Sequence, residues 1–374
     1  MCGTVEPSAE MEAEDMDTGN FPFDIADVAS LLNLKVVNGY TDCPFCGDKR
    51  GKMNINLKKN VFRCNHCDEK GGMIALYAKA YGISNADAYR EICDALKNKS
   101  ELPGYIVRKK EQRNTDSSEV ERAGIATIHQ TYSLLLSTLT LSRTHKTQLM
   151  DRGLTAEQIE RYGFKSTPAF GYGNLMRMLL SQGCTVQGVP GFYKSESGEW
   201  SMKFNPKCSG MIIPITTMEG YTAGAQIRLD QPVNNRKYLW FSSVNENMGV
   251  SPGSPIGFAG DSAAETVYIT EGYLKAVVSH CLSGKSFAGV AGANISSGIS
   301  ALFEKLKRNG TTTIAECYDM DKYSNEYVEK GCLKMCDTAK SFGFKVRRMK
   351  WNTGEKGIDD YLYALKKSKD QDQN

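Results

Sequence analysis

The chain has 374 residues, enough for two or three domains that each bury a core of their own. It is 41% hydrophobic and 24% charged with a formal net charge of +3, the balance of an ordinary globular protein. No apolar run approaches the roughly 18 residues of a membrane span, so a membrane-embedded function is excluded from the expectations.

The first stretch, "MCGTVEPSAEMEAEDMDTGN", lacks the basic start and apolar run of a signal peptide. It carries six carboxylates and no Lys or Arg, and residues 1–20 read as a disordered acidic tail. The remaining body is then +9, a charge that suits an anionic partner. With no export signal the expected location is the cytoplasm, where cysteines stay reduced. Of twelve cysteines, eight are scattered without a framework, and Cys332 with Cys336, one helical turn apart, carry little weight as ligands. The other four form two CxxC pairs.

Those pairs lie in "CPFCGDKRGKMNINLKKNVFRCNHC", with 17 residues between Cys46 and Cys64. Paired knuckles joined by an alternating hairpin, "MNINLKKNVFR", are the spacing of a four-cysteine zinc ribbon, with Cys43, Cys46, Cys64 and Cys67 as ligands. Zn²⁺ there is structural. His66 reads as a solvent-facing neighbour because four cysteines complete the set. Lys49, Arg50, Lys52, Lys58, Lys59 and Arg63 crowd the hairpin, with Phe45 and Phe62 available to stack on bases. A ribbon so basic points to nucleic acid rather than to a purely structural clip.

A short helix in "FPFDIADVASLLNL" precedes the ribbon, and "GGMIALYAKAYGI" and "SNADAYREICDALKN" read as two helices after it, the second with a capping box from Ser84 and Asp87. Residues 21–97 make the ribbon domain and the polar stretch 98–123 a linker. A helix follows in "IATIHQTYSLLLSTLTLS". Another follows in "RGLTAEQIERYGF", where Thr155 and Gln158 form a capping box and Leu154 and Ile159 a hydrophobic staple. "SGMIIPITTMEGYTAGAQIRLD" and "RKYLWFS" give strands, and "ENMGVSPGSPIGFAG" reads as a Gly/Pro loop, so 124–260 form a mixed α+β subdomain.

From 261 to 366 strands and helices alternate: "ETVYIT", "GYLKAVVSHCL", "KSFAGVAG", "SGISALFEKLKRN", "TTTIAECYD", "NEYVEKGCLKMCDTAKSFG" and "FKVRRMKW". This is the pattern of a Rossmann-like parallel α/β sheet, followed by a tail at 367–374. The fold class is thus a multi-domain α+β and α/β chain: zinc ribbon with helices, mixed subdomain, parallel-sheet domain.

In an open parallel sheet, ligands bind beyond the carboxyl ends of the strands. Glu271 follows "TVYIT", Asp319 and Asp321 follow "TTTIAECY", and Asp359 and Asp360 follow the last strand. Like charges so close need a counter-charge, and Mg²⁺ or Mn²⁺, expected as a pair, would serve phosphoryl or nucleotidyl transfer. Asp359 and Asp360 also suit a helix N-cap, and both roles can hold. Glu316, by alternation, points with Tyr318 and away from Asp319, and is left out of the set. "SGKS" at 283–286 is not a phosphate loop, because Ser279 stands where its first glycine belongs.

In this order "CPFC…VFRCNHCDEKGG", "RGLTAEQIERYGF", "GMIIPI", "IRLD…RKYL", "YITEG" and "CYDMD" resemble bacterial DnaG-type primases over about residues 24–365. The last part is similar to the TOPRIM primases of phages, plasmids and other mobile elements. The resemblance implies a TOPRIM domain whose metal ligands are Glu271, Asp319 and Asp321, with Asp359 and Asp360 as its last acidic motif. It also implies that Arg228 and Lys237 hold template or incoming nucleotide and that the ribbon helps read the start site. Expected partners are a single-stranded DNA template, NTPs and a separate replicative helicase. No helicase-binding domain is expected after "YLYALKK". Cys46 stands where the family often has His, a swap zinc tolerates. Lys275 stands where the family usually has Asp, and is expected to contact a phosphate or to weaken metal binding. The expected function is RNA primer synthesis; a TOPRIM nuclease and a non-catalytic DNA-binding loader are the alternatives.

Overall fold

In a computed structural model the chain divides into two compact units, residues 1–113 and 114–374. The structure describes residues 21, 23–100, 120–233, 236–244, 246–292, 298–351 and 354–372. The acidic tail and most of the expected linker lie outside the described residues.

The first unit opens with α1 (Ile25–Leu31), where Asp24 accepts from the N–H groups of Ala26 and Asp27 while the Asp27 carboxylate accepts from the Asp24 N–H. Strands β1 (Tyr40–Thr41), β2 (Met53–Asn56), β3 (Val61–Cys64) and β4 (Lys70–Gly72) form an antiparallel sheet in that order. The alternation of "MNIN" puts Met53 and Ile55 on the core side of β2, and Phe62 answers them from β3. Helices α2 (Met73–Tyr81) and α3 (Asn85–Ser100) close that core with Leu76 and Ile92. Ser84 accepts from the Asp87 N–H at 3.1 Å as expected, but the Asp87 carboxylate takes the Ser84 hydroxyl at 2.6 Å rather than a backbone N–H.

The second unit begins with α4 (Ile125–Thr138), α5 (Arg143–Met150), α6 (Ala156–Arg161), β5 (Lys165–Ser166) and α7 (Tyr172–Ser181). The box of Thr155 and Gln158 is formed at α6, and Leu154 and Ile159 enter one core as the staple requires. Helices α5 and α7 were not expected: both are short, and only Ser142, whose hydroxyl accepts from the His145 N–H, marks where α5 begins. A hairpin of β6 (Phe192–Lys194) and β7 (Trp200–Met202) precedes β8 (Gly210–Thr216), β9 (Thr222–Val233) and β10 (Arg236–Trp240). The last three join β5 in an antiparallel sheet ordered β10-β9-β8-β5, against which α4 and α7 bury Tyr132, Leu135 and Leu179.

There follow β11 (Gly257–Ala259), β12 (Thr266–Glu271), α8 (Tyr273–Ser283), β13 (Ser286–Val290), α9 (Ile299–Arg308), β14 (Thr313–Glu316), α10 (Glu326–Ser341), β15 (Lys345–Arg348) and α11 (Ile358–Asp372). The sheet order is β11-β13-β12-β14-β15. Four strands are parallel, as the alternation of elements indicates, but β11 pairs antiparallel with β13. The expected Gly/Pro loop therefore ends in an edge strand. Side chains of α9 and α10 bury Val267, Ile269 and Ile314 on one face, while α8 and α11 pack with Phe287 and Cys317 on the other. Helix α11 continues through most of the expected tail.

Candidate functional site

In the first unit, the loop after β1 supplies Cys43 and Cys46, the last residue of β3 is Cys64, and the turn before β4 supplies Cys67. Their sulfurs all lie within 4.8 Å of one another, with Cys43–Cys67 at 3.8 Å and Cys46–Cys64 at 3.9 Å. A tetrahedral zinc with Zn–S bonds of about 2.3 Å needs sulfur–sulfur edges of about 3.8 Å, so the four residues fit the ion. The N–H groups of His66 and Cys67 donate to the Cys64 Sγ, a bond pattern suited to a thiolate. His66 is not the solvent-facing neighbour expected: its Nδ1 lies 3.4 Å from the Cys46 Sγ and 3.7 Å from Asp48 Oδ2. It packs beside a ligand instead of replacing one.

The basic residues of the hairpin divide. Lys58 and Lys59 sit exposed on the turn between β2 and β3, whose N–H groups are gathered by Asn56 Oδ1. Arg63 is paired with Asp68 at 2.9 Å, and Arg50 with Asp48 at 2.6 Å. Phe62 is buried in the core with Phe45 against it, ring centroids 5.5 Å apart, so Phe62 does not offer a stacking face.

In the second unit, the carboxyl ends of the parallel strands gather the expected acids. Glu271 ends β12, and Gly272 after it takes φ of 84°, a left-handed turn that starts α8 at once. Asp319 and Asp321 follow β14, in and beside a short 3₁₀ turn at Met320–Tyr323. Asp359 and Asp360 lie within the first turn of α11, not at its cap, because the helix begins at Ile358. Asp359 instead accepts from Arg152 at 2.9 Å.

The counter-charge for this crowd comes from the chain itself. The Lys275 ammonium, in the first turn of α8, is paired with Asp319 Oδ1. Lys356 lies 2.6 Å from Asp321 Oδ2 and 3.8 Å from Asp319 Oδ2. Among the described residues, the four cysteines are the one group of three or more ligand residues whose ligand atoms all lie within 4.8 Å of one another. Two carboxylate oxygens, Glu271 Oε1 and Asp359 Oδ1, are nonetheless buried with no hydrogen-bond partner. Burial first, and the Asp319 charge next, push the Glu271 carboxyl up to about 7; burial raises that of Asp359 too. Desolvated, unpartnered carboxylates fit a hard divalent cation, provided the exposed Lys356 gives way.

Behind the acids lies a pair that sequence reasoning passed over. Lys322 and Glu316 have side chains 0% exposed, and the ammonium donates to Glu316 Oε1 and Oε2 at 2.8 and 2.9 Å and to the Met349 carbonyl at 3.1 Å. The Glu316 carboxylate also accepts from the Tyr318 N–H at 2.7 Å and from Arg348. The bond from strand end to Lys322 ties down the turn that carries Asp321. Glu316 is thus absent from the acid set, as expected, but has a positioning role.

Arg228 on β9 is half-buried and donates to Gln148 at 3.0 Å, while Lys237 on β10 is exposed. Two residues beyond Arg228, the Asp230 carboxylate meets His145 Nε2 at 2.7 Å, and the Nδ1 of that histidine lies 2.7 Å from Ser166 Oγ. Helix α5 thereby grips the end of β9 through both Gln148 and His145. Nothing in the local sequence links His145 to residues so far along the chain.

Residues 16–104 match the model of the DnaG zinc ribbon, described as a CHC2 zinc finger, and residues 261–369 match a domain of unknown function, DUF3854. A curated DNA primase of Lactococcus lactis is 20% identical over 336 residues, covering 80% of this chain and 50% of that protein. The chain thus spans about half the length of the relative it matches. The crystal structure of the Aquifex aeolicus primase, zinc-binding and RNA polymerase domains, superposes with a TM-score of 0.51 at 16% identity over 94% of this chain and 82% of that one. The RNA polymerase domain of Mycobacterium tuberculosis primase DnaG, solved with double-stranded DNA, gives 0.49 at 16% over 65% of this chain and 78% of that one. In its ribbon, in its curated relative and in its fold, the chain resembles the DnaG-type primases.

Proposed function

We propose that the chain synthesises short RNA primers on single-stranded DNA, as a primase of a phage, plasmid or other mobile element. The observation that carries this is the set of acids at the strand ends, with unpartnered buried oxygens on Glu271 and Asp359, in a chain that also bears a DnaG-type ribbon. Glu271, Asp319 and Asp321, with Asp359 and Asp360 beside them, would hold Mg²⁺ or Mn²⁺. The ion when bound would lower the pKa of a primer 3′-hydroxyl and screen the phosphates of an incoming NTP.

The chain's own residues do the rest. Arg228, held by Gln148, and the exposed Lys237 present positive charge on adjacent strands to template or nucleotide phosphates. Lys58 and Lys59 offer the ribbon's exposed cationic edge to single-stranded DNA. The Lys322–Glu316 pair keeps Asp321 on a rigid turn. Residues 21–97 form the template-reading domain, 124–260 and 261–366 the two halves of the catalytic core, with a separate helicase as partner in the cytoplasm.

A second reading has one observation in its favour: Lys275 and Lys356 already occupy Asp319 and Asp321, as in a DNA-binding loader that has kept the fold without its chemistry. Primer synthesis decides between them, on a mixed single-stranded DNA pool with labelled NTPs and Mg²⁺ or Mn²⁺. Short products that vanish in Asp321→Ala support the primase. DNA binding without products, unchanged in Asp321→Ala, supports the loader, and shortening of the DNA itself marks a nuclease.

A further inference from the structure

The acid cluster contains two ammonium groups, and they are held differently. Lys275 projects from the first turn of α8, a helix of 11 residues, with its side chain 25% exposed. A cation there opposes the helix dipole, so its place depends on the carboxylates it faces. These are Asp319, in direct contact, and Glu271 and Asp359, which both feel its charge. Its stem is confined as well. A side chain at Gly357 would come within 3.4 Å of Lys275 Cε and 2.4 Å of Asp359 Oδ1, so the glycine leaves the space that the two share. Asp359 is 2% exposed, and its Oδ1 has no partner. Lys356, in contrast, comes from the loop before α11 with a side chain 62% exposed, and can swing into solvent.

Asp360 is exposed to solvent, so the four carboxylates that are buried or half-buried, Glu271, Asp319, Asp321 and Asp359, face three cations, Lys275, Lys356 and Arg152. Two divalent ions added to fixed Lys275 and Arg152 would leave the cluster strongly over-neutralised. One ion in exchange for Lys356 would come close to balance.

We propose that the Lys275 ammonium is a built-in substitute for one metal ion, so that the acid cluster of this chain takes a single divalent cation, admitted on the Glu271–Asp321 side as Lys356 moves away. This rests on the metal-binding reading given above, and it replaces the expected pair of ions with one ion and one lysine.

The test is a count of Mn²⁺ bound to the zinc-loaded full chain, by electron paramagnetic resonance of free and bound metal. Wild type is expected to bind one Mn²⁺ that Asp321→Asn removes, with an uncoupled six-line signal even at excess metal. Lys275→Gln is expected to bind two, with the broadening of a coupled pair, and Lys275→Arg to stay at one. Two coupled ions in wild type, or a folded Lys275→Gln protein that still binds one, would overturn the inference and leave the metal site standing. No Mn²⁺ sensitive to Asp321→Asn would remove the metal site itself and the inference with it. The wild-type spectrum decides even if Lys275→Gln fails to fold.

Discussion

The zinc ribbon and the acid cluster are both sets of like-charged ligands, yet the chain prepares them in opposite ways. Four sulfurs converge to within 4.8 Å of one another with amide donors beside them, whereas the carboxylates are already met by Lys275, Lys356 and Arg152. The difference follows from the ligand. Thiols can lose their charge by staying protonated until metal arrives, so crowding them costs little. Buried carboxylates repel one another whenever they are ionised together, and need internal cations or protons to be crowded at all. A ligand set that folds with its metal can be bare; one that must fold without it carries its own counter-ions.

The sharpest break of that comparison is to remove zinc. Zinc in such sites contributes on the order of 10 kcal/mol to folding, so chelation or Cys64→Ser should abolish the cooperative thermal transition of the first unit. Survival of that transition, followed by circular dichroism, would show that the ribbon does not depend on its metal.

Next in size is the support beneath the acids. Lys322→Met leaves Glu316 buried with only Arg348 for charge, and should cost about 3 kcal/mol, read as a lower urea midpoint. Lys322→Met with Glu316→Leu should recover most of it. A single variant as stable as wild type would mean that the pair does not hold the turn.

The counter-ion argument is sharpened by pH. The Glu271 carboxyl is raised from 4.5 to about 7 in the folded chain, so the folded state binds the extra proton between those values. Stability of zinc-loaded protein without Mg²⁺ should therefore fall as pH rises through that window, by on the order of 2–3 kcal/mol. Glu271→Gln should flatten the profile. A profile equally steep in that variant would place the proton elsewhere.

The smallest effect belongs to the ribbon's surface. Lys59→Ala should weaken single-stranded DNA binding a few-fold and reduce the salt slope by about 0.7, measured by fluorescence anisotropy at several salt concentrations. An unchanged slope would move the DNA contact away from the hairpin turn.

What the sequence by itself determined was whatever depends on neighbours along the chain. The ribbon is legible because its ligands lie in two local knuckles joined by one hairpin, whose alternation sets Met53 and Ile55 inward. The box at Thr155 and Gln158 is read within four residues, and Glu271, Asp319 and Asp321 declare themselves as acids at strand ends. Helix α5 was missed because "RTHKTQLM" is mostly polar, and α7 because Gly171 and Gly173 at its start are turn residues rather than helix formers.

Only the tertiary structure decided which charges meet. Lys275 reaches Asp319 across 44 positions, Arg152 reaches Asp359 across 207, and His145 reaches Asp230 across 85. It also sent Phe62 into the core rather than to a base, and brought the end of the expected Gly/Pro loop into the sheet as β11. Pairing between distant charges has no period and no local signature, because it is set by how helices and strands stack. That stacking put a lysine where the acids alone had suggested a metal ion.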